Sequence, residues 1–458
     1  TAGKYALWDE SADSWIISGT QSTVTLGTSN FIAGVNAGNS IASGGNYNVC
    51  VGDEAGTALT TGDNVVAVGY QALSTEDANG NNTAVGYTAL KVLDAGASGH
   101  NTAVGYVAGA AMTTGIQNSF FGALAGDALT DADYNTGLGV NALTTDTLGS
   151  RSVALGHNTL NAQNFTTATD TYNVAIGFNA GVAMTVGLKN CIIGGLAGDV
   201  LTDADFNVAL GNAALSADTL GSRSVAIGFQ ALLTQNFTTA TDTYNVGCGY
   251  NAGALLTTGV QNTLIGGASG TSTTSVTTGS KNVLVGYACH TSAVDSDQAH
   301  GLGYNLDCVA GYTTLGNAGD DIRAPHGSIT WETISDERVK KDIQDSTAGL
   351  SFINDLRPRT FNYKNKGDIP VDFNGYEEGS TEAYRNSKTQ HGFIAQEVKA
   401  TIDKHSDIKD GFSMWSGDSL GGQQRVGETA MIPMLVKAIQ EQNALIEALT
   451  ARITTLEE

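Results

Sequence analysis

The pentapeptide NVCVG at residues 48–52 decides the fold, because variants of it return along most of the chain. The variants include NTAVG at 82–86 and 101–105, NVAIG at 173–177, NVALG at 207–211 and NVLVG at 282–286. The final glycine of the motif falls at Gly34, Gly52, Gly69, Gly86, Gly105, Gly122, Gly139, Gly156, Gly177, Gly194, Gly211, Gly228, Gly249, Gly266 and Gly286. These glycines are 17 to 21 residues apart, most often 17. A short period of this kind is typical of a solenoid, whose coils contact only their neighbours.

The motif itself predicts a β-strand. Val and Ile alternate with small Ala and Gly, which is the period of two that distinguishes a strand from a helix. The glycine, a following Ala-Leu or Ala-Gly return and a polar Thr/Asp/Asn turn then complete each coil. The asparagine that opens the motif predicts a stacked ladder of asparagine side chains. A longer period of 72 residues, from Gly105 to Gly177 to Gly249, indicates duplication of four-coil blocks.

These observations predict a mainly β protein with a β-roll or β-solenoid shaft of about 17-residue coils. A single coil of this length buries few side chains. We therefore expect three chains to pack together, which closes the core and covers strand edges that would otherwise aggregate.

Composition and charge exclude several functions. The 458 residues include 58 glycines, only 4 prolines and 41% hydrophobic residues, which is too apolar for a disordered chain. Residues 1–334 carry 7 Lys+Arg against 25 Asp+Glu, and residues 335–458 carry 15 against 20. So acidic a shaft disfavours nucleic acid and anionic membrane surfaces. No apolar run predicts a membrane span or a secretory signal. Because the chain starts at Thr1, we expect a larger upstream region to precede it.

Two sets of side chains are candidates for metal binding. Cys50, Cys191 and Cys248 replace Val, Ile, Ala or Thr of the motif, so we expect small buried hydrophobes instead of a disulfide or metal site. The matching turns at 126–135 and 198–207 carry Asp127, Asp131, Asp133, Asp199, Asp203 and Asp205. Calcium binding stays an alternative there, but the spacing does not match an EF-hand loop and Asp is common in turns. We predict no metal and no cofactor.

The repeat loses its regularity between Ala288 and Trp331. Ring-bearing side chains concentrate there, namely His290, His300, Tyr304, Tyr312, His326 and Trp331. Such rings stack on sugars, and the end of a fibre is where a receptor would be met. A role in closing the last coil is the alternative for the same residues.

At ISDERVKKDI (334–343) lysines and helix-forming residues replace the repeat. Near the C-terminus, apolar side chains follow at mostly three- and four-residue steps, as in a short coiled coil, at Leu435, Ile439, Leu445, Leu449, Ile453 and Leu456. Three such helices would register three chains.

Four segments carry a family resemblance. SDERVKKDI (335–343), LRPRTFNYK (356–364), HGFIAQEV (391–398) and MIPMLVKAIQE (431–441), in this order, resemble the C-terminal intramolecular chaperone of phage tailspikes and tail fibres, the peptidase S74 domain. The sequence departs from the family pattern at Asp342, where Asn is common, and at Gln442, where Leu is usual. The coils of about 22–290 resemble the left-handed β-roll heads of trimeric autotransporter adhesins and the shafts of phage tail fibres, although the coil here is longer than that of the adhesins.

The S74 resemblance implies a trimerising chaperone of the α+β class, ending in a coiled-coil helix, that folds the upstream β-structure and then cuts itself off. It implies Ser335 as nucleophile, Lys340 as general base and a cut between Ile334 and Ser335. A lysine desolvated in a trimer interface loses its proton and can activate a serine. Supporting, non-catalytic roles fall to Asp336, Arg338, His391 and Glu397.

The resulting organisation is a connector at 1–21, solenoid coils at 22–287, a distal tip at 288–334 and the chaperone at 335–458. The leading hypothesis is a homotrimeric viral tail-fibre or spike segment that joins an upstream tail region to a host-surface glycan. It would be assembled in the host cytoplasm and act on the virion, outside the cell. Its chemistry would be a single-turnover serine autoproteolysis. The alternatives are a polysaccharide-degrading tailspike and a trimeric bacterial surface adhesin.

Overall fold

The structure is a computed structural model, and it describes residues 5–9, 14–18, 26–96, 98–373, 375–406, 408, 412–417 and 424–457. The chain divides into two compact units, Thr1–Ile334 and Ser335–Glu458. The first unit opens with an antiparallel hairpin of Tyr5–Asp9 and Ser14–Ser18. The rest of the predicted connector at 1–21 lies outside the described residues.

A ladder of short parallel strands, one from each coil, runs through the first unit. Each strand pairs in register with the strand of the next coil, so that Val66 lies opposite Thr83 and Val68 opposite Val85. The ladder consists of Phe31–Ala33, Val49–Val51, Val66–Val68, Thr83–Val85, Thr102–Val104, Ser119–Phe121, Thr136–Leu138, Val153–Leu155, Val174–Ile176, Cys191–Ile193, Val208–Leu210, Val225–Ile227, Val246–Cys248, Thr263–Ile265, Val283–Val285, His300–Tyr304 and Tyr312–Asn317. The mainly β solenoid predicted from the repeat is therefore confirmed.

The glycine that follows each strand is required twice over. Gly86 has φ +143°, a conformation that side chains with a Cβ rarely adopt. A Cβ placed on it would also lie 2.1 Å from the carbonyl oxygen of Gly105 in the next coil. Successive coils thus approach so closely at this corner that any larger residue would force them apart.

Small side chains fill a thin interior. The middle residue of the ladder strand points inward, and Ala67, Ala84 and Ala103 have no exposed surface. Leucines such as Leu73 and Leu90 close the core from the opposite wall and are also fully buried. Larger middle residues such as Phe120, Ile192 and Leu264 are also fully buried, so the interior accepts side chains of different size while the strands stay in register.

The motif asparagines form the predicted ladder of buried amides. Asn118 is fully buried, and its Oδ1 accepts a hydrogen bond from the Asn135 N–H at 2.8 Å. Its Nδ2 donates to the Ala132 carbonyl at 2.7 Å. Equivalent pairs of bonds recur along the shaft, for example from Asn282 to the Ala299 N–H and the Ser296 carbonyl. Each asparagine therefore joins its own coil to the next one.

The ladder continues past residue 287, the predicted end of the solenoid. His300–Tyr304 and Tyr312–Asn317 still pair in parallel. Tyr312–Asn317 then pairs antiparallel with Asp320–Pro325, which pairs with Glu332–Thr333. Two-residue parallel pairs flank the ladder. Two of them lie beside the 21-residue coils that end at Gly177 and Gly249, namely Gly149–Ser150 with Thr169–Asp170 and Gly221–Ser222 with Thr241–Asp242. The third, His290–Thr291 with Asp307–Cys308, lies near the end of the ladder.

The second unit is a small α+β domain. Its helices are α1 (Leu350–Asp355), α2 (Ala395–Ile402) and α3 (Ile432–Glu457), with 3₁₀ turns at Glu337–Val339, Lys366–Asp368 and Glu428–Met431. Its antiparallel strand pairs are Arg359–Phe361 with Gln390–Gly392, and Trp415–Ser416 with Arg425–Val426. Its core consists of Ala348, Phe352, Leu356, Val398, Ile402 and Met414.

All five cysteines are free thiols. Cys50, Cys289 and Cys308 are buried, whereas Cys191 and Cys248 are partly exposed at the first and last positions of ladder strands. Burial raises the pKa of Cys50 to about 11 and that of Cys308 to about 12. The buried thiols thus stay protonated and behave as small apolar side chains.

Candidate processing site and binding surfaces

Ser335 and Lys340 lie on either side of a single 3₁₀ turn, Glu337–Val339. This turn brings the chain back on itself, and Lys340 Nζ donates a hydrogen bond to Ser335 Oγ at 2.7 Å. Both side chains are exposed in the single chain. A serine hydroxyl in contact with a lysine amine is an arrangement for nucleophilic catalysis whenever the amine is neutral.

Asp336 and Arg338 stabilise this turn. Asp336 is its N-cap, and its Oδ1 accepts from the Arg338 N–H at 2.8 Å and from Arg338 Nε at 2.9 Å. The Arg338 side chain also lies 2.5 Å from Asp336 Oδ2. These hydrogen bonds lower the pKa of Asp336 and keep it ionised. The charges of Asp336 and Arg338 are thus paired with each other, and Lys340 is the basic side chain that contacts Ser335.

His391 and Glu397 lie together on a different part of the domain. Glu397 opens α2 and is held by Arg359 Nε at 2.8 Å, which lowers the pKa of the Glu397 carboxyl. His391 Nδ1 lies 3.4 Å from Thr360 Oγ1 on the paired strand. Within the described residues, no hydrogen bond joins either side chain to Ser335 or Lys340. The Glu397–Arg359 pair holds the strand Arg359–Phe361 against α2, and the His391–Thr360 contact joins that strand to its partner strand.

Helix α3 leaves an apolar face uncovered. Ala438 is the buried residue along its described length, whereas the side chains of the predicted coiled-coil positions are 40 to 78% exposed. Those positions are Leu435, Ile439, Leu445, Leu449, Ile453 and Leu456. In the N-terminal half of the helix, Glu441 accepts the Leu350 N–H at 2.7 Å and so ties α3 to the start of α1. The exposed face needs an apolar partner.

The ladder strands present a second apolar face, the outer stripe, which the sequence analysis did not single out. It is formed by the third residue of each strand: Val51, Val68, Val85, Val104, Phe121, Leu138, Leu155, Ile176, Ile193, Leu210, Ile227, Cys248, Ile265, Val285 and Leu302. These side chains are half-exposed or exposed, Leu302 reaching 56%. The alternation of large and small residues in the motif already indicates this outer face, because the residues on either side of the buried Ala must point outward.

The predicted receptor residues differ in their contacts and exposure. The His300 and His326 rings lie 4.5 Å apart, Tyr304 stacks on Tyr287 at 5.6 Å and Tyr312 lies under Arg323. His290 is only 9% exposed and its Nδ1 contacts the Ala288 carbonyl, so it offers little to a receptor. Burial, with a contribution from His326, lowers the pKa of His300. Trp331 is 48% exposed.

The aspartate-rich turns are linked from coil to coil. Asp131 accepts from Thr114 Oγ1 at 2.7 Å, Asp133 from the Ile116 N–H at 2.8 Å, and Asp127 from Thr144. Asp199 and Asp205 make the matching bonds in the duplicated block, with Ser216 and the Leu188 N–H. Throughout the described residues, no group of three or more His, Cys, Asp or Glu is placed to hold a metal ion. In the same residues, no helix is long and apolar enough to cross a membrane.

Comparison with known proteins identifies one part of the chain. The sequence profile of the family Peptidase_S74, described as "Chaperone of endosialidase", matches residues 335–407. The match begins at Ser335, the first residue of the second compact unit. S74 chaperone domains take part in trimer assembly, which is consistent with a homotrimer. No curated protein and no solved structure matches the chain.

Proposed function

We propose that this chain is a homotrimeric tail-fibre or spike segment of a virus, assembled by its C-terminal domain in the host cytoplasm and then released from that domain by self-cleavage between Ile334 and Ser335. On the virion, outside the cell, the solenoid would join an upstream tail region to a host-surface glycan. The observation that carries the proposal is the contact between Ser335 Oγ and Lys340 Nζ at the first residue of the S74 match.

The position of Ser335 directly after the scissile bond suggests how the reaction proceeds. Ser335 Oγ attacks the carbonyl carbon of Ile334 through a five-membered ring, and Lys340 takes the hydroxyl proton. The C–N bond breaks, Lys340 returns the proton to the departing Ser335 nitrogen, and Ile334 is left as an ester on Oγ. Water then hydrolyses the ester, giving an Ile334 carboxylate and a free Ser335 hydroxyl.

Assembly would control this reaction. Lys340 is exposed in the single chain, and its Nζ contacts Ser335 Oγ. Only a neutral amine can accept the hydroxyl proton, and removal of water favours the neutral form. Packing of three copies around this turn would supply that environment, and cleavage would then follow trimer formation.

Two apolar faces support the homotrimer. The outer stripe runs along the whole solenoid, and the α3 face runs along the C-terminal helix. Apolar surface of this extent is rarely left in water by a monomer. Three copies of a thin solenoid would bury the stripe against a common axis, and three copies of α3 would form the coiled coil.

The test is intact-mass and native mass spectrometry of the purified full chain and of the variants Ser335→Ala and Lys340→Arg. We expect the wild type to give a trimer of chains ending at Ile334 and both variants to stay full-length. Lys341→Gln, which changes the neighbouring lysine, is the matched control and should be cut normally. Hydroxylamine should intercept the ester and leave a hydroxamate on Ile334.

Cleavage of Ser335→Ala at the same bond would contradict the proposed nucleophile. A wild-type chain that stays full-length and monomeric would contradict both the processing and the assembly.

A further inference from the structure

One side chain in each coil stands directly before the motif asparagine, or before the serine that replaces it. Over seven consecutive coils this position alternates between a ring and a base, and we name the set the cation–ring ladder. Its members are Tyr134, Arg151, Tyr172, Lys189, Phe206, Arg223 and Tyr244.

The members of the ladder contact one another from coil to coil. The Arg151 guanidinium lies 4.7 Å from the centre of the Tyr134 ring and 5.9 Å from that of Tyr172. Lys189 Nζ lies 5.3 Å from the Phe206 ring. Arg223 repeats the first arrangement, at 4.8 Å from Phe206 and 5.9 Å from Tyr244. Each arginine is therefore held between two rings, in a fixed place on the surface.

Basic residues are scarce in this unit, yet they concentrate on this line. Residues 1–334 hold 7 Lys+Arg against 25 Asp+Glu. Arg151, Lys189 and Arg223 belong to the ladder, and Lys281 occupies the same position in a later coil. Four of the seven bases thus share one position of the coil. This line therefore holds most of the basic side chains of an otherwise acidic shaft.

The backbone at this position has the same conformation in every coil. All seven residues are left-handed, with φ between 51° and 64°. That conformation is unfavourable for a residue with a Cβ, and Asn and Gly tolerate it best. Asn64 and Asn81 occupy the position in earlier coils. Tyr47, His100, Gln117 and Gln261 are left-handed at the same position of other coils, so the winding sets this backbone and the alternation of rings and bases is a feature of the side chains alone.

Carboxylates accompany the arginines. Arg151 Nε lies 2.9 Å from Asp170 Oδ1, and Arg223 Nε lies 2.8 Å from Asp242 Oδ1. The arginine side chains are still 38 and 40% exposed. A guanidinium has five donors, so donors remain for a ligand carboxylate, while the aspartates can accept from ligand hydroxyls. The surface around each arginine therefore combines guanidinium donors, a carboxylate that can accept hydrogen bonds from hydroxyls, and the apolar edges of aromatic rings.

From this geometry we infer that the cation–ring ladder binds a linear, carboxylate-bearing polysaccharide lying along the side of the shaft. Coils are stacked about 4.8 Å apart, so bases two coils apart repeat every ~10 Å, which suits an extended ligand with a regular repeat. Hydroxyl-rich sugars between the carboxylates match the aspartates, whereas a densely charged polyanion would be repelled by the acidic surroundings. The inference rests on the proposed attachment function and moves the contact from the tip to the side of the fibre.

The test measures binding of the assembled full chain to immobilised hyaluronan, which has a glucuronate at every second sugar, with neutral dextran and densely sulfated heparin for comparison. Arg151→Gln/Arg223→Gln removes two ladder charges. Lys91→Gln removes a charge elsewhere in the same unit and is the control, with Arg151→Gln measured beside it as the matched single variant. We expect wild type to prefer hyaluronan, the ladder variant to bind at least about tenfold more weakly, and the control to change less than about twofold.

Absence of hyaluronan binding by the wild type, tighter binding to heparin, or an equal loss in the Arg151→Gln and Lys91→Gln variants would overturn the inference. So would dissociation of the trimer in the ladder variant, because the ladder would then be a contact between copies. Native mass spectrometry and the circular-dichroism melting curve decide that point. Trimer formation and cleavage at Ser335 are measured separately, so failure of glycan binding leaves the processing proposal standing.

Discussion

Replacing Glu76 by Gln should stabilise the solenoid at neutral and alkaline pH but not at acidic pH. Glu76 has no exposed surface, and its Oε2 accepts only long hydrogen bonds, at 3.4 Å from Asn82 Nδ2 and 3.5 Å from the Ala95 N–H. Burial therefore raises the pKa of Glu76 to about 7, with a smaller contribution from the charge of Asp94. The difference from its ordinary value of 4.5 corresponds to about 3 kcal/mol.

The direction of this pH dependence of stability follows from proton binding by Glu76. The folded chain holds the Glu76 proton to a higher pH than the unfolded chain, so folding is favoured by protonation. This contribution to stability is complete below pH 4.5, falls as the pH rises from 4.5 to about 7, and is lost above that. A neutral glutamine removes the dependence. Gln163 and Gln235 are fully buried at the equivalent position of other coils, so the amide fits this core.

Urea unfolding of the full chain at pH 4, 6 and 8 measures the effect. We expect Glu76→Gln to match the wild type at pH 4 and to exceed it by up to about 3 kcal/mol at pH 8. Asp77→Asn, at the exposed neighbouring residue, removes the same charge and is the control for the net charge of the shaft. A gain that is the same at pH 4 and pH 8, or a gain equalled by Asp77→Asn, would refute the reasoning.

Three further sets of variants test the close approach of the coils, the asparagine ladder and the assembly of the chains. Gly139→Ala should destabilise the shaft by at least ~2 kcal/mol in the same urea assay, because φ is +142° and the new Cβ would lie 2.2 Å from the Gly156 oxygen. Gly311 also has a positive φ, but its surroundings are open, so Gly311→Ala should cost less stability. Equal losses of stability in the two variants would show that the predicted clash at Gly139 has no effect. Asn118→Ala leaves the Asn135 N–H and the Ala132 carbonyl buried without a partner, and should cost about 2–5 kcal/mol; a loss below 1 kcal/mol would show that the amide ladder matters little. Leu449→Gln/Ile453→Gln on α3 should reduce the trimer fraction in native mass spectrometry, whereas Glu447→Gln on the same helix should not; an unchanged trimer would place the assembly contacts elsewhere.

The repeat could be read from the sequence because it depends on residues with few alternatives. Gly86 and Asn118 occupy positions where no other residue type satisfies the backbone and the buried hydrogen bonds equally well, so they recur visibly. Ser335 and Lys340 could be singled out for a similar reason, since the surrounding segments resemble one family.

Other features depend on contacts between coils, which have no signature in a single motif. Arg151 and Tyr134 are 17 positions apart and become neighbours only when the winding is known. Glu76 belongs to a polar-looking stretch, and the stacking of neighbouring coils is what buries it. The burial of His290 has the same origin, because the ladder continues through His300–Tyr304 beside it.

The asparagine ladder also gives the shaft a direction and a unit of length. Each asparagine amide reaches forward to the following coil. Val65, Ser152 and Ser224 interrupt the line, and its last amide, that of Asn282, accepts from the Ala299 N–H. Whole coils can therefore be added to or removed from the asparagine ladder without leaving a buried amide without a hydrogen-bond partner. The duplicated 72-residue blocks, at four coils each, would change the reach of the fibre in steps of about 19 Å while both ends stay as they are.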